Sequence, residues 1–266
     1  MVFGSLTDHR AGTVQPMPLP FEPNSYGDAI ADVYDEWIGD GRYGSVDPAV
    51  EVLARLAGQG GTALELGVGT GRIAIPLAAR GVAVTGVDAS ARMIEKLRAK
   101  PGGADLPVTM GDMAQVPVEG SFDLVYVVAS TLYCLTDQDS QLECLARAAA
   151  RLRPGGHLVV EAFVPDPTRF DRGQRVEARA VDTGSVRLDV ARHDPAAQAV
   201  FAQQIAITPS GVRLCPVHLR YIWPAELDLM ARLAGLTLVR RDSGWRGEPY
   251  TAASGSHVSI YQGSPG

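Results

Sequence analysis

The spacing of hydrophobic residues switches between two periods along the chain, and the two periods predict helices and strands in alternation. Apolar residues three and four positions apart indicate amphipathic helices, and these cover residues 25–38, 48–57, 73–80, 91–100, 142–152 and 224–234. Short and nearly continuous apolar runs indicate strands covered on both faces, as in a parallel sheet. They cover residues 62–66, 82–87, 108–110, 122–128 and 158–164. This alternation predicts an α/β protein with a doubly wound sheet.

From Pro165 onwards the pattern changes to short alternating segments separated by turn residues. The segments 176–181, 186–192, 199–208 and 212–222 predict a four-stranded antiparallel meander. The last of these segments alternates apolar residues with His218 and Arg220, so it predicts one apolar and one polar face. Two closing strands, 236–240 and 258–261, follow the final helix. We therefore divide the chain into an irregular arm (1–24), an α/β domain (25–164 and 223–266) and an inserted β-sheet (165–222).

Composition and charge exclude several classes of function. The chain has 266 residues and a net charge of −6, without the clustered Lys and Arg that a nucleic-acid partner requires. Its three cysteines have no paired spacing, and no His or Cys spacing is typical of a metal site. No apolar run approaches the length of a membrane span, and the N-terminus lacks a signal-peptide pattern. We expect a cytoplasmic enzyme, monomeric or homodimeric, without a nucleic-acid or membrane partner.

The candidate chemistry starts at a glycine-rich turn between the first predicted strand of the sheet and the helix after it. Gly67, Gly69 and Gly71 alternate after Glu65, and Arg72 occupies the position that would complete the dinucleotide-binding pattern G-x-G-x-x-G. Glycines let the turn reverse tightly and let backbone N–H groups approach a ligand. The helix N-terminus adds N–H groups that favour anionic or polar ligand groups.

Two further acidic positions follow the next two strands. Asp88 ends the second strand, and Gly111 and Asp112 follow the third. Taken together, these landmarks resemble those of class I S-adenosylmethionine-dependent methyltransferases, and the resemblance covers roughly residues 30–262. It implies a seven-stranded Rossmann-like sheet whose last strand is antiparallel, with S-adenosylmethionine as the cofactor.

The resemblance also implies roles for individual residues. Asp88 would hold the ribose hydroxyls, and Asp112 with the Met113 backbone would hold the adenine. Met93 would pack on the adenine or belong to the core, and Tyr34 would lie on a lid helix over the cofactor. The residues expected to contact the cofactor are Tyr34, Glu65, Gly67, Gly69, Gly71, Arg72, Asp88, Ala89, Met93, Gly111, Asp112, Met113 and Ala129.

The acceptor side is less clearly marked. Tyr133 follows the fourth strand and is interpreted either as a wall of the active site or as a packed aromatic residue. By family analogy the insertion roofs the acceptor pocket, which makes His218 and Arg220 candidates. His193 has no supporting pattern, and neither have His9 and His257. Because no residue is committed to the role of a base, we expect catalysis by alignment, with nitrogen preferred over oxygen as the acceptor atom.

The insertion and the segment 247–251 resemble actinobacterial small-molecule methyltransferases, whose relatives include N-methyltransferases of amino sugars and of peptide natural products. Two alternatives stay open at this point. One is an NAD(P)-dependent Rossmann oxidoreductase, against which Arg72 and the Gly111-Asp112 landmark count. The other is a protein that binds S-adenosylmethionine without transferring the methyl group, because a fold with a cofactor site does not prove turnover.

Overall fold

The computed structural model describes residues 21–38 and 45–263. The helices are α1 (Ser25–Ile30), α2 (Tyr34–Ile38), α3 (Asp47–Ala57), α4 (Ala74–Ala78), α5 (Ala91–Arg98), α6 (Gln138–Ala150) and α7 (Pro224–Leu233). The strands are β1 (Thr62–Leu66), β2 (Ala83–Asp88), β3 (Val108–Met110), β4 (Phe122–Val127), β5 (Leu152–Phe163), β6 (Gln174–Val181), β7 (Val186–Asp194), β8 (Ala199–Thr208), β9 (Gly211–Arg220), β10 (Leu236–Asp242) and β11 (Ser256–Gly263).

The larger of the two sheets has seven strands in the order β10-β11-β5-β4-β1-β2-β3. The pairs among β1 to β5 are parallel, and β11 is antiparallel to both of its neighbours. The strand order reverses between β1 and β4, and this reversal opens a crevice at the carboxyl ends of these strands. The predicted doubly wound α/β sheet with an antiparallel last strand is confirmed.

Hydrophobic cores cover both faces of this sheet. In β1 the side chains of Leu64 and Leu66 enter one core with α6 and α7, whereas Ala63 enters the other core with α3 and α4. Successive side chains of a strand point to opposite faces, so a strand covered on both faces is apolar almost throughout. Glu65 is the exception within β1, because it is buried and polar.

The smaller sheet is an antiparallel meander in the order β6-β7-β8-β9, between β5 and α7 in the chain. Its pairing is regular along β8, from Ala199 opposite Arg220 to Thr208 opposite Gly211. This sheet confirms the predicted β-meander. On β9 the predicted apolar face contributes to the cavity, as described below.

The N-terminal helix predicted over 25–38 is wrong as a single element. It is divided into α1 and α2, which are separated by turns at residues 31–33. Each half has its own contact with the α/β domain, since Asp28 bonds to Ser90 and Asp35 bonds to Thr70. These tertiary contacts override the continuous apolar stripe. Of the predicted arm at 1–24, residues 1–20 lie outside the described residues.

Two other boundaries differ from the prediction. The helix predicted over 73–80 is the short α4, because Pro76 at its centre has no N–H to donate and Gly81 ends the segment with a φ of 86°. The strand predicted from residue 158 begins earlier, at Leu152. Its first residues pair with β4 through an irregular register between Phe122 and Leu124, where Pro154 interrupts the regular ladder.

Candidate active site

The glycine turn connects β1 to the segment that leads into α4. The backbone N–H groups of Gly67 and Val68 both donate to the carbonyl oxygen of Val87, at 2.8 and 2.9 Å, which ties the turn to the end of β2. Gly69 has a φ of 54°, and a Cβ added there would meet no atom within 4 Å. This position therefore leaves open space beside bare backbone. Gly71 serves packing, because a Cβ there would lie 2.8 Å from Cδ1 of Ile75.

The carboxylate of Asp88 organises the site at the end of β2. One of its oxygens accepts a hydrogen bond from the Gly69 N–H at 2.7 Å, and the other accepts one from the Ser90 N–H at 2.8 Å. Burial raises the pKa of Asp88, while the N–H groups of Ser90 and Gly69 oppose that rise. The Ser90 hydroxyl in turn accepts from the Met93 N–H at 3.1 Å and caps α5.

The end of β3 supplies the third acidic position. Asp112 accepts a hydrogen bond from the Ala114 N–H at 2.9 Å. The Gly111 N–H donates to the Asp88 carbonyl oxygen at 2.9 Å, and a Cβ on Gly111 would lie 2.8 Å from Cγ of Pro117. Gly111 is thus a close-packing position, and Asp112 is the residue that faces the site.

A cavity of about 860 Å³ extends from the glycine turn to the meander. Most residues predicted from the sequence to bind the cofactor line it, namely Tyr34, Gly67, Gly69, Arg72, Asp88, Ala89, Met93, Asp112, Met113 and Ala129. His218 also borders this cavity. The predicted residues that do not line it are Glu65, Gly71, Gly111, Tyr133 and Arg220.

Helices α1 and α2 cover this cavity from the side of the glycine turn. The Asp35 carboxylate accepts hydrogen bonds from the Thr70 hydroxyl at 2.7 Å and from the Lys100 ammonium at 2.8 Å. At the other end of the cover, the Ser90 hydroxyl donates to Asp28 at 2.6 Å. A Cβ on Gly27 would lie 2.6 Å from Cβ of Ser90, so α1 approaches the α5 N-terminus as closely as glycine permits.

The comparisons with known proteins agree with this geometry. A sequence family described as a methyltransferase domain matches residues 63–156. The cypemycin N-terminal methyltransferase of a Streptomyces species is 32% identical over 201 residues, which cover 73% of this chain and 80% of that protein. The chain belongs to the class I S-adenosylmethionine-dependent methyltransferases. This excludes the oxidoreductase alternative.

Solved structures give the same result for the whole methyltransferase fold. The CcbJ methyltransferase from Streptomyces caelestis has 40% sequence identity and a TM-score of 0.86, over 92% of this chain and 100% of that one. CalS10 from Micromonospora echinaspora, an amino pentose methyltransferase involved in calicheamicin biosynthesis, has 18% identity and a TM-score of 0.66, over 93% and 99% of the two chains. The second similarity supports the fold alone.

The residues of this methyltransferase fit its cofactor. S-adenosylmethionine carries a methyl group on a positively charged sulfur, which makes that group electrophilic. The open backbone at Gly69, with Asp88 beside it, leaves the polar cradle that a nucleoside needs, and a side chain at Gly69 would fill that cradle.

No group of three His, Cys, Asp or Glu residues within 21–38 and 45–263 is arranged to hold a metal ion. In the same ranges, no helix is long and apolar enough to span a bilayer.

Neither Tyr133 nor Arg220 lines the cavity, and the structure gives both of them packing contacts, which for Tyr133 is the second of the two interpretations above. The hydroxyl of the fully buried Tyr133 lies 3.1 Å from the carbonyl oxygen of Phe163 and 2.9 Å from that of Ile222, and these two acceptors share its one proton. Arg220 is buried and donates to Gln141 and Glu226, at 2.7 Å each. Both side chains stabilise the junction between the meander and the α/β domain.

The cavity-facing side of the meander differs from the prediction. Alternation along β9 places Val217 and Leu219 on the same face as His193, and all three line the cavity. His218 lies opposite Phe201 in the ladder, and their rings stack at 4.2 Å. The predicted apolar face of β9 therefore faces the cavity as well, beside His218, which borders it from the other face. The polarity of the side chains on a strand therefore does not by itself predict which face of the strand encloses a ligand.

Sequence reasoning missed the charged and aromatic residues of the cavity wall. His193, which had no supporting sequence pattern, lies with its Nε2 3.0 Å from the Tyr221 hydroxyl and its ring stacked on Phe170. Other missed residues that line the cavity include Phe163, Arg169, Arg175, Arg179, Asp189 and Gln204. One available signal was the alternation of Arg175, Glu177 and Arg179 along β6, which places three charges on one face.

Glu65 lies outside the cavity lining, and its environment predicts a dependence of stability on pH. Its carboxyl accepts a hydrogen bond from the Tyr126 hydroxyl at 2.9 Å, and burial raises the pKa of Glu65 to about 8. An unfolded glutamate ionises near pH ~4.3. The stability associated with this group is therefore fully present below pH ~4.3 and is lost as the pH rises towards the native pKa.

We expect Glu65→Gln to remove this loss. In the wild type the free energy of unfolding falls by up to ~1.4 kcal/mol per pH unit between pH ~5 and ~8, because the native carboxyl keeps its proton and the unfolded one does not. Urea denaturation across that range measures the slope. The matched control is Glu51→Gln on the exposed side of α3, which retains the wild-type slope. Parallel curves for wild type and Glu65→Gln would show that Glu65 is ionised in the native state.

The cover formed by α1 and α2 gives a second prediction. We expect Asp35→Ala to weaken the binding of S-adenosylhomocysteine, the demethylated cofactor, by about five- to tenfold, because it releases α2 from Thr70 and Lys100 at the glycine turn. Titration calorimetry measures the affinity. Glu36→Ala, which changes the exposed neighbour on the same helix, is the control and retains the wild-type affinity. Equal affinities in the two variants would leave α2 with a packing role only.

Proposed function

We propose that this methyltransferase transfers the methyl group to a nitrogen atom of a small natural-product acceptor. The observation that carries the proposal is the single cavity that connects the glycine turn to the inner face of the meander, because it offers one space to cofactor and acceptor. Relatives support the class of acceptor: one is named a cypemycin N-terminal methyltransferase, and KedS8 from Streptoalloteichus, with the same fold, is a sugar N-methyltransferase.

In this proposal the two ends of the cavity have different tasks. Asp88 holds the ribose hydroxyls, Asp112 and the Met113 backbone hold the adenine, and Met93 packs against the adenine ring. Tyr34 closes the cofactor from α2, and the turn at Ala129 borders its methionine end. The inserted meander, residues 165–222, covers the acceptor and selects it. The larger sheet binds the cofactor without contributions from the meander.

The proposed chemistry is an in-line displacement in which the acceptor nitrogen attacks the methyl carbon while the sulfur–methyl bond breaks. S-adenosylhomocysteine is then the leaving group, and the methylated ammonium product gives its proton to solvent. A neutral amine carries its own lone pair, so the protein chiefly aligns acceptor and donor and excludes water. His193 and the Tyr221 hydroxyl, 3.0 Å apart on the cavity wall, orient the acceptor and receive a hydrogen bond from its N–H. Burial and the nearby Asp194 raise the pKa of Tyr221, so its hydroxyl stays protonated at neutral pH.

The test uses pairs of candidate acceptors that differ only in the reacting atom, such as a 4-amino-4-deoxy sugar and its 4-hydroxy counterpart. Mass spectrometry of reactions with S-adenosylmethionine detects the added methyl group. We expect methylation of the amine only, with a pH profile that shifts when a less basic amine is used. Methylation of the hydroxyl partner, together with a loss of ~10²-fold or more in kcat for His193→Ala, would show a general base and overturn the preference for nitrogen.

A further inference from the structure

A group of five charged residues lines or adjoins the cavity on the side of the meander. We define the arginine cluster as Arg169, Arg175, Glu177, Arg179 and Asp189. Arg175 and Glu177 lie two residues apart on β6, and Glu177 lies directly opposite Asp189 of β7, so these side chains share one face of the meander. Arg179 lies at an irregularity of β6 and reaches the same face through its contacts with Glu177 and Asp189. All three arginines and Asp189 line the cavity.

Both carboxylates of the arginine cluster are already engaged by two of its three arginines. Arg169 donates to Glu177 at 2.8 Å, and Arg179 donates to the other oxygen of Glu177 at 3.1 Å. Arg179 also makes a close ion pair with Asp189. Three guanidinium groups face two carboxylates, which leaves one positive charge of the cluster without a counter-charge inside it.

Arg175 is the member that lacks a hydrogen-bond partner. Its Nε lies 3.6 Å from Glu177 and its Nη2 lies 4.0 Å from Asp189, both too far for a hydrogen bond. Among the described residues its guanidinium makes no hydrogen bond, although its side chain is only 18% exposed and its Nε is fully buried. Burial and the adjacent Arg169 both lower the pKa of Arg175. A buried donor without a partner is costly, and an anion supplied by a ligand would satisfy it.

The surroundings of Arg175 indicate what kind of molecule carries that anion. The guanidinium lies over the Phe170 ring, 5.3 Å from its centre, and the same ring stacks on His193 at 4.7 Å. Gln204, opposite Asp189 on the next strand, also faces the cavity. Its side-chain oxygen is buried and has no hydrogen-bond partner within residues 21–38 and 45–263. The wall therefore offers a planar cation, a flat apolar surface and a hydrogen-bonding amide side by side.

We infer that Arg175 binds a carboxylate of the acceptor, so that this methyltransferase acts on amines that carry a carboxylate group. The inference rests on the proposed function only in that the acceptor enters this cavity. A guanidinium presents its N–H donors in a planar fork that matches a carboxylate. One unbalanced positive charge also matches a monoanion, whereas Glu177 and Asp189 would repel the second charge of a phosphate.

The test measures anion binding directly, on protein saturated with S-adenosylhomocysteine so that the cofactor end is filled. The probes are benzoate, its uncharged isostere benzamide, and inorganic phosphate, each titrated by calorimetry. We expect benzoate to bind at least tenfold more tightly than benzamide and more tightly than phosphate. Equal affinities of benzoate and benzamide would overturn the inference, and tighter binding of phosphate would overturn the assignment to a carboxylate.

Variants locate the binding to Arg175. We expect Arg175→Met to weaken benzoate binding about 10- to 100-fold, the loss typical of a charge-assisted hydrogen-bonding pair. Arg175→Lys keeps the positive charge but lacks the planar guanidinium, so we expect it to lose less benzoate affinity than Arg175→Met. Arg192→Met is the matched control, because Arg192 lies on the opposite face of the same sheet, over Phe201, and its loss leaves benzoate affinity unchanged. Unchanged benzoate affinity in Arg175→Met would overturn the inference.

The same measurement separates this inference from the proposed function. S-adenosylhomocysteine affinity and melting temperature, measured on every variant, verify that each is folded and binds the cofactor product. Benzoate binding requires no methyl transfer, so methylation of a hydroxyl acceptor would refute the preference for nitrogen and leave the Arg175 site standing. Conversely, methylation of amines by a protein that does not discriminate benzoate from benzamide would refute the Arg175 site alone.

Discussion

Asp88→Ala is expected to raise the dissociation constant for S-adenosylhomocysteine by about 100-fold or more and to abolish methyl transfer. The carboxylate fixes the backbone of the cavity from two sides, through the N–H groups of Gly69 and Ser90. Each charge-assisted hydrogen bond contributes ~1.5–3 kcal/mol, and two of them correspond to a factor of 100 or more in affinity. The loss of proposed contacts with the ribose adds to this effect.

Thermal melting at increasing concentrations of S-adenosylhomocysteine measures the effect, because a ligand of the native state raises the melting temperature in a concentration-dependent way. We expect the wild type to show the increase and Asp88→Ala to lose most of it while remaining folded. Asp123→Ala is the matched control. Asp123 likewise accepts hydrogen bonds from backbone and side chain, from Thr62 and Arg153, but at the amino ends of β1 and β4. If S-adenosylhomocysteine raised the melting temperature of Asp88→Ala as much as that of the wild type, the nucleoside would bind elsewhere.

Arg220→Ala is expected to lower the free energy of unfolding by ~3 kcal/mol, the largest effect on stability that we predict. Removing one partner of a buried ion pair leaves the other charge uncompensated. Burial alone would raise the pKa of Glu226, but the hydrogen bonds from Gln198 and Arg220 hold it below its usual value, so the carboxylate is charged in the native protein. Gln141 also loses the partner of its side-chain oxygen.

Chemical denaturation measures this loss, and the surface pair on α6 supplies the control. Arg147 and Glu143 form an exposed pair four residues apart, so Arg147→Ala changes stability by less than ~0.5 kcal/mol. S-adenosylhomocysteine affinity of the folded Arg220→Ala protein stays close to the wild-type value, because Arg220 does not line the cavity. If Arg220→Ala left the stability unchanged but altered which acceptors are methylated, Arg220 would have a role in acceptor binding instead.

Local sequence determined the cofactor end of this protein. The turn from Gly67 to Gly71 and the position of Asp88 are each specified within a few residues of the chain. Positive φ angles strongly favour glycine, and the end of a strand follows from its apolar run. The four strands of the meander were equally predictable from their alternation and their turn residues. These features depend on residues that are close together in the chain, so the sequence pattern predicts them.

Tertiary structure decided the rest of the site. Tyr133 and Arg220 share residue types and positions with active-site groups, but their hydrogen bonds to Phe163, Ile222 and Glu226 engage them in the junction between the sheets. The division of the N-terminal helix into α1 and α2 likewise depends on anchors more than thirty residues away in the chain.

The acceptor wall shows most clearly why sequence was insufficient there. Alternation assigns side chains to two faces of a strand, but only the packing of the meander against α1, α2 and the larger sheet selects the face that encloses the cavity. That selection brought His193 and Arg175 to the cavity and stacked His218 on Phe201. Residues far apart in the chain acquire a common function only when a fold places them on the same surface, and that placement is a property of the tertiary structure.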